Sequence, residues 1–132
     1  MPARCPFSYA VVRVVPRIER HEFVNAGVVL FCDALDFLAA RVALDEGRLR
    51  ALAPDADVAV ARSHLAALAL VCAGGSAAGP IGGLPLRDRW HWLIAPRSTI
   101  LQTSPAHTGL CSSPQEELDR LTSLLVLPPS SS

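Results

Sequence analysis

Nearly uninterrupted apolar runs in the first third of the chain predict a buried sheet. The predicted strands are residues 8–15, 24–32 and 37–44. Each run is apolar on both alternating faces, and the main polar interruptions are Arg13 in the first strand and Asn25 in the second. The short connections favour an antiparallel meander, covered by helices on both faces or by a second copy of the chain.

Apolar positions spaced by three and four residues predict helices further along. The expected helices are a short one at residues 45–53, a long one at 58–73 capped by Asp55 or Asp57, and a long one that begins at Ser113 and Pro114. The buried stripe of the last helix is expected to comprise Leu118, Leu121, Leu124 and Leu125. Gly74 and Gly75 end the middle helix, and residues 74–83 are expected to form a loop.

Residues 90–95 (WHWLIA) and 99–103 predict two more strands, separated by a break at Pro96. The segment around His107 is expected to be irregular. The prediction is therefore a single α+β domain over residues 1–127, with a mostly antiparallel sheet of about five strands, two long helices and one short helix. Residues 128–132 are expected to be a disordered tail.

Composition narrows the function only slightly. The 132 residues carry 12 basic and 12 acidic side chains, so no overall field attracts nucleic acid or an anionic membrane, and an anion site must be built locally. The four cysteines lack the spacing of a zinc site, so no metal and no cofactor are expected. The absence of a signal-peptide pattern and of a long apolar span favours a cytoplasmic location.

Two polar interruptions of the sheet need partners if they are buried. Arg13 is predicted either to pair with Glu22 or Asp88, to contact a ligand, or to be exposed. Asn25 is predicted either to make a hydrogen bond that fixes a loop or to contribute to a site.

Other polar residues cluster beside the predicted strands and make up the rest of the candidate site. Arg97 and Ser98 follow Pro96 and could hold a phosphate or carboxylate, although structural pairing of Arg97 is an equal alternative. The two charge-dense segments that flank the strands add Arg20 and Arg89 to the predicted ligand-binding residues. His107 could act as a general acid or base, and a solvated loop histidine is its alternative interpretation.

Residues 9–31 (YAVVRVVPRIERHEFVNAGVVLF) and 89–110 (RWHWLIAPRSTILQTSPAHTGL) resemble a bacterial family of domains of unknown function, numbered 3037. The resemblance covers roughly residues 7 to 127. It implies a small stand-alone protein whose gene often lies beside one for a HipA-like kinase. It supplies no catalytic residue.

Three classes of function remain open. The first is a binding or regulatory protein whose arginine-lined site takes a small anion, a nucleotide or an acidic segment of a partner, such as a HipA-like kinase or a second copy of the chain. The second is a metal-independent hydrolase or nuclease that acts on a phosphorylated substrate through His107, Arg13 and Arg97. The third is a purely structural interaction protein.

Overall fold

A five-stranded antiparallel sheet forms the centre of the computed structural model, which describes residues 3–97 and 99–128. The strands are β1 (Cys5–Val14), β2 (Val24–Cys32), β3 (Phe37–Val42), β4 (Leu101–Thr103) and β5 (His107–Cys111). The first three form the predicted meander, in the order β3-β2-β1. On the other edge of β1, β5 pairs with its first half and β4 with its last residues. The α+β class and the single domain are confirmed.

In the described part of the chain four α-helices pack on the sheet: α1 (Glu46–Leu52), α2 (Val58–Ala73), α3 (Leu86–Ile94) and α4 (Pro114–Leu125). The side chains of Asp45, Asp57 and Ser113 cap α1, α2 and α4 by accepting hydrogen bonds from first-turn amides. Of the two predicted caps of α2 the structure uses Asp57, and the predicted start of α4 at Ser113 and Pro114 is confirmed. The predicted loop at residues 74–83 contains short 3₁₀ turns at Ser76–Gly83, with a kink at Gly79.

The sheet is covered by helices on both faces, which is one of the two arrangements that its two-sided apolar pattern predicted. Alternate residues of β1 and β2, such as Val12 and Phe31, pack against α1, α2 and α3 on one face. The intervening residues, such as Phe7 and Leu30, pack against α4 on the other. The single helix α4 lies over β2 and β3, and the last residues of β1 lie outside its hydrophobic cluster.

The predicted strand at residues 90–95 is wrong, because Leu86–Ile94 is α3. Trp90 and Leu93 are buried while His91 and Trp92 are exposed, which is a helical spacing of three and not the alternation of a strand. His91 consequently lies on the outer surface of a helix. The prediction of only two long helices and one short one missed this element.

Three further expectations need correction or lie outside the described residues. Residues 107–111 form an edge strand, although an irregular segment was predicted there. In α4, Leu124 is 67% exposed and the fully buried Thr122 occupies the core instead. The tail predicted at 128–132 lies outside the described residues except for Pro128.

Within the described ranges no single helix is long and apolar enough to cross a membrane. One bent pair, α2 with Ser76–Gly83, has the required length and composition.

Candidate anion site

A pocket of about 300 Å³ opens at the end of the sheet that contains the last residues of β1, which are not part of the hydrophobic cluster packed against α4. Its lining residues come from β1, the connection between β1 and β2, β4 and the segment after α3: Arg13, Val15, Ile18, His21, Phe23, Arg97 and Gln102. Two of the predicted ligand-binding arginines, Arg13 and Arg97, therefore line the same pocket. The pocket thus brings together His21, from the connection between β1 and β2, and Arg97, from the segment after α3.

Strand register places Arg13 at the centre of this surface. Arg13 lies opposite Asn25 of β2 and opposite Gln102 of β4. Residues that face each other in antiparallel strands project their side chains to the same face of the sheet. A register shift between Val12 and Arg13 produces the pairing with Asn25, because β2 has one extra residue at this point.

The Arg13 guanidinium is held by an aromatic ring and not by a carboxylate. Its Cζ lies 4.2 Å from the centroid of the Phe23 ring, a cation–π arrangement. Its Nε is buried and has no hydrogen-bond partner among the described residues. The predicted ion pair with Glu22 is wrong, because Glu22 binds Arg20, and no pair between Arg13 and Asp88 is formed in the described structure.

Arg97 wraps back over the end of α3. Its Nη1 donates to the carbonyl oxygen of Leu93 at 3.1 Å and its Nη2 to that of Trp92, while its Cζ lies 4.3 Å from the centre of the Trp92 ring. These contacts fix the guanidinium at the C-terminus of a helix, where a cation is favoured. A guanidinium has five N–H donors, so these two bonds leave donor capacity for a ligand.

The other predicted ligand-binding residues have structural contacts outside the pocket. Asn25 donates from Nδ2 to the carbonyl of Leu125 at 3.0 Å and so anchors the end of α4, while its Oδ1 is buried without a partner among the described residues. Arg89 donates from Nη1 to the carbonyls of Val71 and Cys72, both at 2.8 Å, and so closes the end of α2. Ser98 lies outside the described residues.

Arg20 is the third such residue, and it is exposed. The hydrogen bond and the charge of Glu22 raise the pKa of Arg20, and both side chains lie on the surface.

Sequence reasoning missed His21, Gln102 and Phe23 as lining residues. His21 belongs to the charge-dense loop, but nothing in the sequence distinguishes it from its neighbours. It ends a 3₁₀ turn with φ of +58°, a left-handed conformation that is uncommon outside glycine. Gln102 carries a weak signal, since a polar residue in a three-residue strand points to a face that is only partly covered.

His107 does not line this pocket. It is exposed on the edge strand β5, where its ring centroid lies 5.3 Å from that of Tyr9. Tyr9 is its partner in the strand register, four residues before Arg13 on β1. The histidine that accompanies the two arginines is His21.

The cysteines have the features of core residues. All four are free, and Cys32, Cys72 and Cys111 are buried. Burial raises the pKa of the Cys72 thiol to about 12, against the opposing charge of Arg89. Burial, with Cys32 nearby, also raises the pKa of Cys111. Neither thiol has the lowered pKa that an activated nucleophile needs.

The electrostatics of the pocket favour an anion. Two guanidiniums line it, and none of its described lining residues is acidic. Over residues 3–97 and 99–128 no group of histidine, cysteine, aspartate or glutamate side chains could hold a metal ion. The arrangement supplies hydrogen-bond donors from arginine, glutamine and histidine, a set suited to phosphate or carboxylate oxygens.

Fold and site together define a small α+β domain with a cationic pocket at one end of its sheet. The model of a family described as "Protein of unknown function (DUF3037)" matches residues 9–126, and the chain belongs to this family. The predicted resemblance is confirmed.

Two curated relatives from Mycobacterium tuberculosis, of strains CDC 1551 and H37Rv, are each named polyprenol-phosphate-mannose–protein mannosyltransferase. Both are 39% identical over an alignment of 90 residues, and the match covers 61% of this chain and 16% of theirs. The chain thus matches a small part of two much longer proteins. No solved structure matches it.

Proposed function

We propose that this protein binds an anionic ligand, through a phosphate or carboxylate group held between Arg13 and Arg97. The observation that carries the proposal is Arg13, whose buried Nε lacks a partner among the described residues and whose side chain lines a pocket without an acidic lining residue. A partly buried guanidinium without a carboxylate partner is costly, and an oxyanion in the pocket would compensate its charge.

The contacts of the two arginines support a binding role. Phe23 and Trp92 stack on the guanidiniums and restrict their orientation before a ligand arrives. Preorganised side chains lose less conformational entropy on binding, which favours affinity. Gln102 and His21 add donors on the same pocket wall.

The hydrolase alternative has less support in this geometry. A reaction at the pocket through His107 would require that residue beside the arginines, and it lies on β5 instead. His21 could transfer a proton, but no nucleophilic thiol or acidic side chain accompanies it among the described lining residues. Binding is therefore the function that the site supports best.

A thermal-shift titration tests the proposal. The melting temperature is measured for the native protein, Arg13→Gln and Arg41→Gln in increasing phosphate, sulfate, acetate and nucleotide. Arg41 is the matched control because it is exposed on β3 and pairs with Asp119, outside the pocket. Phosphate and sulfate stabilise most proteins by exclusion from the surface, so only the difference between variants reports on a site.

Binding at the pocket should give saturable stabilisation in the native protein and in Arg41→Gln, and none beyond the general salt effect in Arg13→Gln. Equal responses of all three proteins to every anion would refute the proposal. A HipA-like kinase as the source of the anionic group is tested separately, by co-purification with the native protein and with Arg13→Gln.

A further inference from the structure

A second cavity shares one lining residue, Arg97, with the anion pocket. It has a volume of about 380 Å³ and lies between α2, the turns at Ser76–Gly83, α3 and β4. Its lining is mostly apolar: His64, Ala67, Leu68, Leu70, Val71, Ala77, Ala78, Ile81, Trp92, Leu93, Arg97, Thr99 and Leu101. We call it the apolar groove. Its size and its few polar groups are those of a small-molecule site.

Arg97 belongs to both cavities. Its guanidinium stacks on Trp92, which is itself 39% exposed and lines the groove. Arg13 lies on the α4 face of the sheet and the groove on the opposite face, so Arg97 connects an anion in the pocket with the apolar groove. We propose that the ligand is an amphiphile, a phosphate or carboxylate group carried on a single apolar chain that occupies the groove. This inference rests on the proposed function and specifies its ligand.

The charge of the groove fits one anionic group on an otherwise apolar molecule. None of its described lining residues is acidic, and Arg97 is the permanent cation among them. Another cavity on the same face of the sheet as the groove, of about 370 Å³, is different: it is lined by Asp55 and Asp57, and its Arg17 already pairs with Asp55 at 2.9 Å. The charge of Arg97 would attract a negatively charged amphiphile to the groove, whereas Asp55 and Asp57 would repel it from the other cavity.

The exposed apolar side chains of the groove support the same occupant. Leu70 is 43% exposed although it lies on α2 next to the core residue Val71. Covering Leu70 and the Trp92 ring with an alkyl chain would remove apolar surface from water, which is favourable in proportion to the area buried. Concave walls from four elements suit a flexible chain.

Calorimetric titration of a chain-length series tests the inference. Methyl, butyl, hexyl and octyl phosphate are titrated below their aggregation concentrations into the native protein, Ala67→Trp and Ala66→Trp. Ala67 lines the groove, whereas Ala66 is the neighbouring exposed alanine outside it, so the second variant is the matched control. Neutral 1-octanol separates the contribution of the chain from that of the charge.

Affinity of the native protein should increase by roughly fourfold for each methylene that the groove buries. Ala66→Trp should keep this dependence, and Ala67→Trp should flatten it. Octyl phosphate should also bind far more tightly than octanol, and Arg13→Gln should reduce that difference.

Each contrary result has a distinct meaning. Methyl phosphate that binds as tightly as octyl phosphate would overturn the amphiphile and leave the anion site standing, while failure of every phosphate would overturn both. Equal affinity for octanol and octyl phosphate would refute an anionic head group.

Sedimentation with phosphatidic acid vesicles shows whether the amphiphile is taken from a bilayer. Binding both to vesicles and to soluble octyl phosphate keeps the inference. Binding to vesicles alone refutes a soluble ligand in the groove. If Ala67→Trp fails to fold, the native series with octanol still decides.

Discussion

Replacing Arg13 with methionine should stabilise the protein in the absence of ligand and abolish anion binding. The change keeps an unbranched apolar side chain over the Phe23 ring but removes the guanidinium, whose Nε is buried without a partner among the described residues. Stability and binding are expected to move in opposite directions, because a group kept for a ligand is not optimised for the empty fold.

The magnitude follows from two opposing contributions. A buried donor without a partner destabilises a fold by about 1 to 3 kcal/mol, and methionine removes that penalty. The lost cation–π contact contributes about 0.5 to 1 kcal/mol, part of which a sulfur–aromatic contact with Phe23 restores. The net expectation is a gain of about 0 to 2 kcal/mol in the free energy of unfolding.

Urea denaturation in a buffer without phosphate or sulfate measures this change. Arg41→Met serves as the control, because it breaks an exposed pair with Asp119 and should alter the free energy of unfolding by less than about 1 kcal/mol. Loss of about 3 to 5 kcal/mol in Arg13→Met would show that the guanidinium belongs to a buried ion pair and would refute the reasoning. Addition of phosphate should then stabilise the native protein more than the variant.

Three other predictions concern the scaffold. Gly27→Ala should lower the free energy of unfolding by about 1 to 3 kcal/mol in urea, because the new Cβ would lie 2.9 Å from the backbone oxygen of Arg41. Gly109→Ala should have a similar effect, since its Cβ would lie 2.8 Å from the buried Phe7 ring; an unchanged denaturation midpoint would show that the ring can move. Burial raises the pKa of Cys72 from 9.0 to about 12, so the folded state holds the thiol proton more tightly than the unfolded state does. The contribution of the protonated thiol to the free energy of unfolding is complete below pH 9 and is lost as pH rises from 9 to 12. Cys72→Ala should therefore lose less stability than the native protein between pH 8 and pH 11 in urea unfolding, and equal losses would contradict that assignment.

Local signals explain which parts of the fold were predictable. The meander follows from apolar runs separated by short turns, and α1, α2 and α4 follow from capping residues that act within one helical turn. The aromatic residues of α3 favour a strand by propensity, and in so short a segment this signal competes with the helical spacing of Leu86, Trp90, Leu93 and Ile94. Strand β5 has almost no apolar pattern because it is an exposed edge, and its pairing with β1 alone defines it.

The site was predictable only where a residue violated its local pattern. Arg13 and Asn25 were identifiable because each interrupts an apolar strand. That Arg97 joins Arg13 depends on the helix α3 and on the position of β4 beside β1, which are long-range features. His21 enters the pocket through the turn between β1 and β2, so its sequence neighbours could not distinguish it.

The distribution of carboxylates separates the pocket from the rest of the surface. Six arginines form ion pairs with acidic side chains in the described part of the chain: Arg17, Arg20, Arg41, Arg62, Arg87 and Arg120. All six are well exposed, where such pairs contribute little to stability. Arg13 is less exposed than these six, so a carboxylate beside it would interact more strongly in the less polar environment. Its guanidinium nevertheless contacts the Phe23 ring, and it shares its pocket with a second arginine, Arg97. Acidic residues therefore pair with arginines on the exposed surface, where an ion pair stabilises the fold little. The described lining of the pocket, where an ion pair would be stronger, contains no acidic residue. That arrangement keeps the positive potential of the pocket available to an external anion.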